Sequence, residues 1–350
     1  MKLFTYGAAG TVTGSMHLLE HKGKKLLLEC GTFQGKRDES YKVNLNFPFD
    51  PAEIDAMMLS HAHIDHSGNI PNLVKKGYKG PIYATNATVD LADIMLRDSG
   101  HIQESDIKYV NKKRRKQGLP ERKPIYTQKD AIAAMPQFRS LWYQEKIEVI
   151  PGVFAQFVEA GHILGSAAIV LDYQDESGRP RRLWFSGDIG RHDVPILRDP
   201  VLPSDAHTLI MECTYGDKPH KDMEDAYDEF VDVINRTVNR GGKVIVPAFA
   251  VGRTQNLTYL LTEAIESGDI PDIPVVVDSP LAVNASDLYR KHTECFDDET
   301  WQFIAEHRMR GLDYHNIIFT RSVDESKALN DWNEPMIIIS ASGMAEGGRI

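Results

Sequence analysis

MMLSHAHIDHSGNI, residues 57–70, ends a short apolar run with three histidines and an aspartate inside six positions: His61, His63, Asp65 and His66. Imidazole nitrogen and carboxylate oxygen suit zinc, and also manganese or iron. In an extended segment, residues two apart point to the same side, so His61 and His63 can share one ion. A helix beginning at Asp65 turns Asp65 and His66 toward a second point beside the first. One loop therefore offers two half-sites. A lone histidine would read as a cap or a surface group. Four donors in His-x-His-x-Asp-His order after a buried strand read as metal ligands.

Half-sites need completion from elsewhere, and two other strand ends offer it. EAGHILGSAAIV puts His162 in a Gly-flanked turn between apolar runs, and LWFSGDIG puts Asp188 after an aromatic-rich strand. A donor at a strand end fixed by a tight turn is well held.

The rest of the chain sets bounds. It has 350 residues, 42% hydrophobic and 26% charged, with a formal net charge of -10. That is enough for two domains or one domain with an insertion. The acidic balance argues against a generic nucleic-acid-coating surface, though bound metal ions can reverse the sign locally. Cys30, Cys213 and Cys295 are few and far apart, so a disulfide framework is excluded and a reducing compartment is favoured. The N-terminus meets glycine too early for a signal peptide, and no apolar run approaches a membrane span. The reading is a soluble, cytoplasmic protein with no membrane partner.

Up to about residue 95 the chain reads as short strands and turns. GAAGTVTGS, residues 7–15, is a tight turn rather than a phosphate loop, because no Gly-Lys-Ser/Thr follows. Residues 56–60 end a buried strand, and PIYATNATVDLADIMLRDS is a strand followed by a helix. The basic run NKKRRKQG, residues 111–118, is a solvated helix or loop, with an RNA-facing patch as the sharper alternative. Strands return from about residue 147. After about residue 210 helices alternate with apolar strands such as KVIVPAFA and IPVVVDSP, which predicts parallel-sheet units. The expected division is residues 1–209 and 210–350.

HAHIDH, AGHILGSA and FSGDIG together resemble the metallo-β-lactamase superfamily of dinuclear metal hydrolases. MECTYGD, VPAFAVGRTQ, VVVDSPLA and IIISASGMAEGGR resemble its β-CASP branch, which includes RNase J and the cleavage and polyadenylation endonuclease. The resemblance covers nearly the whole chain. It implies an α/β fold: an αββα sandwich, residues 1–209, with an inserted α/β β-CASP domain, residues 210–350.

By the same resemblance, His61, His63 and His162 hold one metal, Asp65 and His66 the other, and Asp188 bridges both. The metals are two Zn2+, with Mn2+ as the alternative, and a water between them attacks an RNA phosphodiester. Asp65 also orients that water, and Glu212 stands where the family carries an acidic residue supporting a catalytic histidine. Glu29 takes the place of an aspartate and braces the metal loop. Arg253, Ser340, Ser342 and Gly343 are candidate substrate contacts, with Ser279 weaker. The substrate is single-stranded RNA, with DNA as an alternative, and a homodimer is compatible. Relatives carry two further histidines beyond the position of Ile350. The chain therefore reads as incomplete at its C-terminus, with a second metal site lacking a ligand. His292, His307 and His315 fit neither role. The competing readings are a non-catalytic RNA-processing scaffold and a small-molecule ester or thioester hydrolase of the same superfamily.

Overall fold

The computed structural model describes residues 1–219, 223–306, 312, 317–341 and 349. The chain divides into two compact units, Met1–Gly190 with Pro200–Glu212, and Arg191–Asp199 with Cys213–Ile350.

The first unit opens with β1 (Lys2–Gly7), β2 (Met16–His21) and β3 (Lys24–Leu28), followed by α1 (Arg37–Leu45). Then come β4 (Ala56–Met58), α2 (Ile64–Ser67), α3 (Ile70–Lys75), β5 (Ile82–Thr85) and α4 (Asn86–Lys116). α5 (Gln128–Ala134) and β6 (Phe138–Leu141) complete one six-stranded sheet in the order β1 to β6, antiparallel through β3 and parallel thereafter. The second sheet holds β7 (Ile147–Ile150), β8 (Val153–Glu159), β9 (Ala167–Gln174), β10 (Pro180–Phe185) and β11 (Thr208–Ile210), in the order β11-β10-β9-β8-β7. It is antiparallel except for the β10–β11 pair.

Alternation places the core. Leu26, Leu28, Ala56 and Met58 of the first sheet meet Ala155, Phe157, Ile169, Leu171 and Phe185 of the second. Leu27 and Met57 are also fully buried, and period two turns them to the opposite face, where the helices lie. The central strands are thus covered on both faces, which is why they read as continuous apolar runs. Each such leucine contributes about 1.5–3 kcal/mol by burial. The layers are helix, sheet and sheet, within the expected αββα plan.

α1 and β6 are among the elements that escaped the sequence reading. α1 has a polar sequence with Asn44 as its one buried residue, and β6 is four residues with a non-alternating burial pattern. Neither carries a period to read. α4 is 31 residues long and begins at a Thr85 cap that accepts from the Thr88 N–H. Among the described residues no helix is long and apolar enough to cross a membrane.

The second unit contains α6 (Met223–Asn239), β12 (Val244–Pro247), α7 (Arg253–Glu266), β13 (Val275–Asp278) and α8 (Pro280–Lys291). α9 (Asp298–Glu306), β14 (Ile317–Phe319), α10 (Val323–Ala328) and β15 (Ile337–Ser340) follow. The four strands are all parallel, in the order β12-β15-β13-β14. Ile234, Leu261, Val275, Ile337 and Ile339 form its core. Residues 191–199 leave the first unit to pack here: Leu197 bridges Phe296, and the Asp297 N–H donates to Ile196 at 3.1 Å.

Candidate metal centre

Three strand ends deliver the donors. His61, His63, Asp65 and His66 follow β4, His162 lies between β8 and β9, and Asp188 follows β10. Backbone hydrogen bonds clamp the first loop from outside: Ser15 N–H to Asp65 O at 2.9 Å, Cys30 N–H to His66 O at 2.8 Å and Thr32 N–H to Ile64 O at 2.9 Å. The turn at residues 7–15 therefore braces the donor loop through Ser15. A Cβ on Gly31 would fall 1.6 Å from the Asp65 carbonyl oxygen, so only glycine fits that approach. The His162 loop is held by the His162 N–H to Ser166 Oγ bond at 2.9 Å. Thr85 and Thr88 both donate to its Gly165 carbonyl, at 2.6 and 2.8 Å.

The donors converge on two adjacent points. His63 Nδ1 lies 3.2 Å from His61 Nε2 and 3.1 Å from His162 Nε2. Asp188 Oδ2 lies 3.8 Å from His61 Nε2 and 3.5 Å from His162 Nε2. Four donors bonded to zinc at about 2.0–2.1 Å stand roughly 3.3 Å apart in a tetrahedron, so this set fits an ion with little adjustment. The other Asp188 oxygen, Oδ1, is 3.2 Å from His66 Nε2, which is 3.9 Å from Asp65 Oδ2. Asp188 thus gives one oxygen to each set.

Glu29, His61 and His66 also bring donor atoms close together. Glu29 is fully buried, and its oxygens are already committed. Oε1 accepts from the Ser60 N–H at 2.7 Å, and Oε2 accepts from Ser60 Oγ at 2.9 Å and faces His66 Nδ1 at 2.6 Å. Glu29 therefore aims His66 Nε2 at Asp188, the usual task of a carboxylate behind a ligating imidazole. Its backbone sits at φ 64°. That conformation costs a non-glycine residue about 1–3 kcal/mol, offset by these three contacts. Ser60 Oγ is also 2.9 Å from His61 Nδ1, which leaves His61 Nε2 for the centre.

The electrostatics match at the first set. Burial and the neighbouring imidazoles push His61 well below its ordinary value and His63 down to about 3. Burial lowers His162 as well. These rings are neutral, the form that offers a lone pair to a cation. Burial would also lower His66, but its hydrogen bonds to Asp188 and Glu29 prevail and hold it well above the imidazole range. Burial alone would raise Asp188; the hydrogen bond and charge of His66 outweigh it and bring the carboxyl down to about 2.

Glu212 belongs to the first unit. Its carboxylate accepts from the Ile189 N–H at 3.1 Å, and its charge acts on His162. Arg253 and Ser340 belong to the second unit. Arg253 is exposed at the start of α7. Ser340 is buried at the end of β15 and donates to the Asp278 carbonyl at 3.0 Å. Its hydroxyl is thus engaged within the second unit. Ser279 caps α8 by accepting from the Ala282 N–H. Ser342, Gly343, His307 and His315 lie outside the described residues. His292 bonds Glu294 at 2.7 Å, within the second unit. The sequence reading missed Ser60, Ser166, Thr85 and Thr88, whose one signal was a hydroxyl beside a ligand or a tight turn.

Comparison with known proteins agrees with this geometry. Residues 9–177 match the metallo-beta-lactamase superfamily and residues 254–350 match the Beta-Casp domain. Over its whole length the chain is 36% identical to Ribonuclease TTHA0252 of Thermus thermophilus and covers 74% of that protein. It is 32% identical to the transcription termination factor FttA of Methanothermobacter thermautotrophicus over 99% of this chain, and 29% identical to cleavage and polyadenylation specificity factor 73 of Drosophila melanogaster over 98%. It spans about half the length of those two, 52% and 46%. A crystal structure of a protein of unknown function from Enterococcus faecalis covers 97% of this chain and 77% of its own, at a TM-score of 0.52 and 13% identity, and so shares the fold. The chain belongs to the metallo-β-lactamase superfamily and carries its β-CASP domain.

Proposed function

We propose that this β-CASP protein is a metal-dependent hydrolase of RNA phosphodiester bonds, acting in RNA processing or decay. The observation that carries the reading is Asp188, whose two oxygens serve two adjacent donor sets. The relatives' names point the same way, since a ribonuclease, a polyadenylation factor and a termination factor all work on RNA or its synthesis. Residues 1–209 are read as the metallo-β-lactamase portion and 210–350 as the β-CASP portion.

When bound, zinc or manganese ions would acidify an attacking water and offset the charge that builds on the phosphoryl oxygens. The chain's own groups do the rest. His61, His63 and His162 present neutral nitrogens. Asp188 ties the two sets together. Asp65, beside His66, would orient the attacking water by accepting a hydrogen bond from it. Glu29 keeps His66 in one orientation. Glu212 is read as the acidic residue that supports a catalytic histidine. Among the described residues, the second set has Asp65, His66 and a shared Asp188. The substrate proposed is single-stranded RNA.

The test is cleavage of single-stranded RNA labelled at either end, with zinc or manganese supplied and single-stranded DNA as competitor. Metal content is measured on the same sample. Cleavage that disappears with chelation and returns with metal is expected. Bound metal without cleavage of RNA, alongside turnover of a small ester, would overturn the reading.

A further inference from the structure

The metal centre leaves unused a groove of about 580 Å3 between residues 32–44 and α4. Its walls are mostly apolar, with Phe33 and Tyr41 on one side and Ile102, Ile107 and Val110 of α4 on the other. It adjoins the donor loop. A Cβ on Gly68 would fall 2.3 Å from Thr32 Oγ1, and the Thr32 N–H bonds Ile64. The groove wall is also fixed. Buried Asn44 accepts from the Phe33 N–H and donates to its carbonyl, both at 2.8 Å. The Asn44 carbonyl accepts from Asn69 and Asn72, just past the donor loop, at 3.0 and 2.8 Å.

Arg37 and Arg122 line the groove, and past Val110 α4 runs on into a basic stretch. Residues 106–123 carry eight Lys or Arg against two acidic residues, in a chain of net charge -10. Lys113 lies over the Tyr109 ring and Arg122 over the Tyr41 ring, each at 4.6 Å. Arg37, across from α4, is close enough to act on Tyr109. Asp38 pairs with Arg122 at 2.7 Å, and Asp106 is the acidic residue in the lining. A basic last turn complements a helix dipole, but that accounts for neither the aromatic wall nor the link to the donor loop. Aromatic faces beside a track of cations suit single-stranded nucleic acid, whose bases stack while its phosphates are neutralised.

We propose that this groove is a substrate subsite in which the single-stranded RNA flanking the cleaved bond lays a base against Phe33 and Tyr41 and its phosphates along Arg37 and the basic end of α4. The proposal rests on the RNA-hydrolase reading above and adds where the substrate runs. The preference it confers is for length of single strand rather than for sequence.

The test uses the full-length protein and the double variant Arg37→Gln/Lys113→Gln; both side chains are exposed. Binding of a 20-nucleotide and a 4-nucleotide single-stranded RNA is titrated against salt, and hydrolysis of bis(p-nitrophenyl) phosphate is followed in parallel. Loss of two phosphate contacts should weaken the long RNA about tenfold and lower its log–log salt slope by about 1.4. The short RNA and the small diester should be unaffected. A 4-thiouridine in the flank should crosslink to residues 33–41. Wild-type cleavage of RNA with an unchanged slope in the variant, or equal weakening of both RNAs, overturns the groove and leaves the hydrolase reading standing. Wild-type turnover of the small diester without binding or cleavage of either RNA overturns both.

Discussion

Two polar clusters stand at strand ends, one in each unit, and they are built on opposite principles. After β4, β8 and β10, His61, His63, His162 and Asp188 face one another with three ring nitrogens and a carboxylate oxygen turned inward. After β13, the Asp278 carboxylate is ringed by donors. Thr320 and Arg349 bond one oxygen and Ser326 the other at 2.7 Å, while Ser340 donates to its carbonyl. The second cluster is closed and satisfies itself. The first consists of acceptors and lone pairs that satisfy one another poorly, which costs free energy unless a cation enters. A cluster that needs a guest is a site; a cluster complete without one is a fastener.

The largest effect expected from that contrast is on turnover. Asp65→Asn keeps size and hydrogen bonding but loses the charge, and should reduce RNA cleavage by about 1,000-fold or more. Its thermal midpoint should stay within a few degrees of the parent. Retained cleavage would put Asp65 outside the chemistry. Asp278→Ala should do the reverse in the second unit. It leaves the Arg349 guanidinium, 19% exposed, without its carboxylate; breaking a fully buried pair costs about 3–5 kcal/mol, which bounds this loss from above. Urea unfolding should show the loss, while the metal content of the first unit is unchanged. Loss of metal from Asp278→Ala would break the distinction between site and fastener.

His17 supplies a pH signature of the first unit. Its ring packs on Phe185 at 5.3 Å, and burial, then the charge of His66, holds its pKa down to about 4. The unfolded chain, with an ordinary imidazole, binds the extra proton. The stability contributed is full above about pH 6.5 and is lost as pH falls toward about 4, amounting to at most about 3 kcal/mol. Unfolding of the metal-free protein should therefore be more pH-dependent between 6.5 and 4 than that of His17→Gln. Equal slopes would contradict this. Smaller again is Glu29→Gln, which removes the negative charge facing His66 Nδ1. Metal affinity should fall by about 10- to 100-fold, read by competition with a chromogenic chelator.

The legibility of the molecule follows the same division. Metal ligation needs particular atoms at short spacing, so His61, His63, Asp65 and His66 announce themselves, and His162 and Asp188 follow as donors at glycine-flanked strand ends. The buried parallel strands are readable because both faces are apolar, as Leu26 to Leu28 show. α1 and β6 are not, since neither has a hydrophobic period. The partner of Ser340 was not legible, because a hydroxyl in a Gly-rich turn looks the same in sequence whatever it bonds, here the carbonyl of Asp278. Only the neighbouring strand, 62 residues away in the chain, decides that.

Arg253 is the residue on which the contrast is finest. It is exposed at the first position of α7, where the Gln255 side chain, not Arg253, accepts from the Gly252 N–H. Among the described residues, its guanidinium makes no hydrogen bond at the helix start. Its charge is therefore free for a phosphate in a way that Ser340 is not. Arg253→Ala should raise KM for RNA about three- to tenfold and leave kcat nearly unchanged, as expected when binding common to ground and transition states is removed. It should leave the urea midpoint in place, since an exposed substitution away from such contacts usually costs under about 0.5 kcal/mol. A fall in stability with KM unchanged would make Arg253 a fastener too.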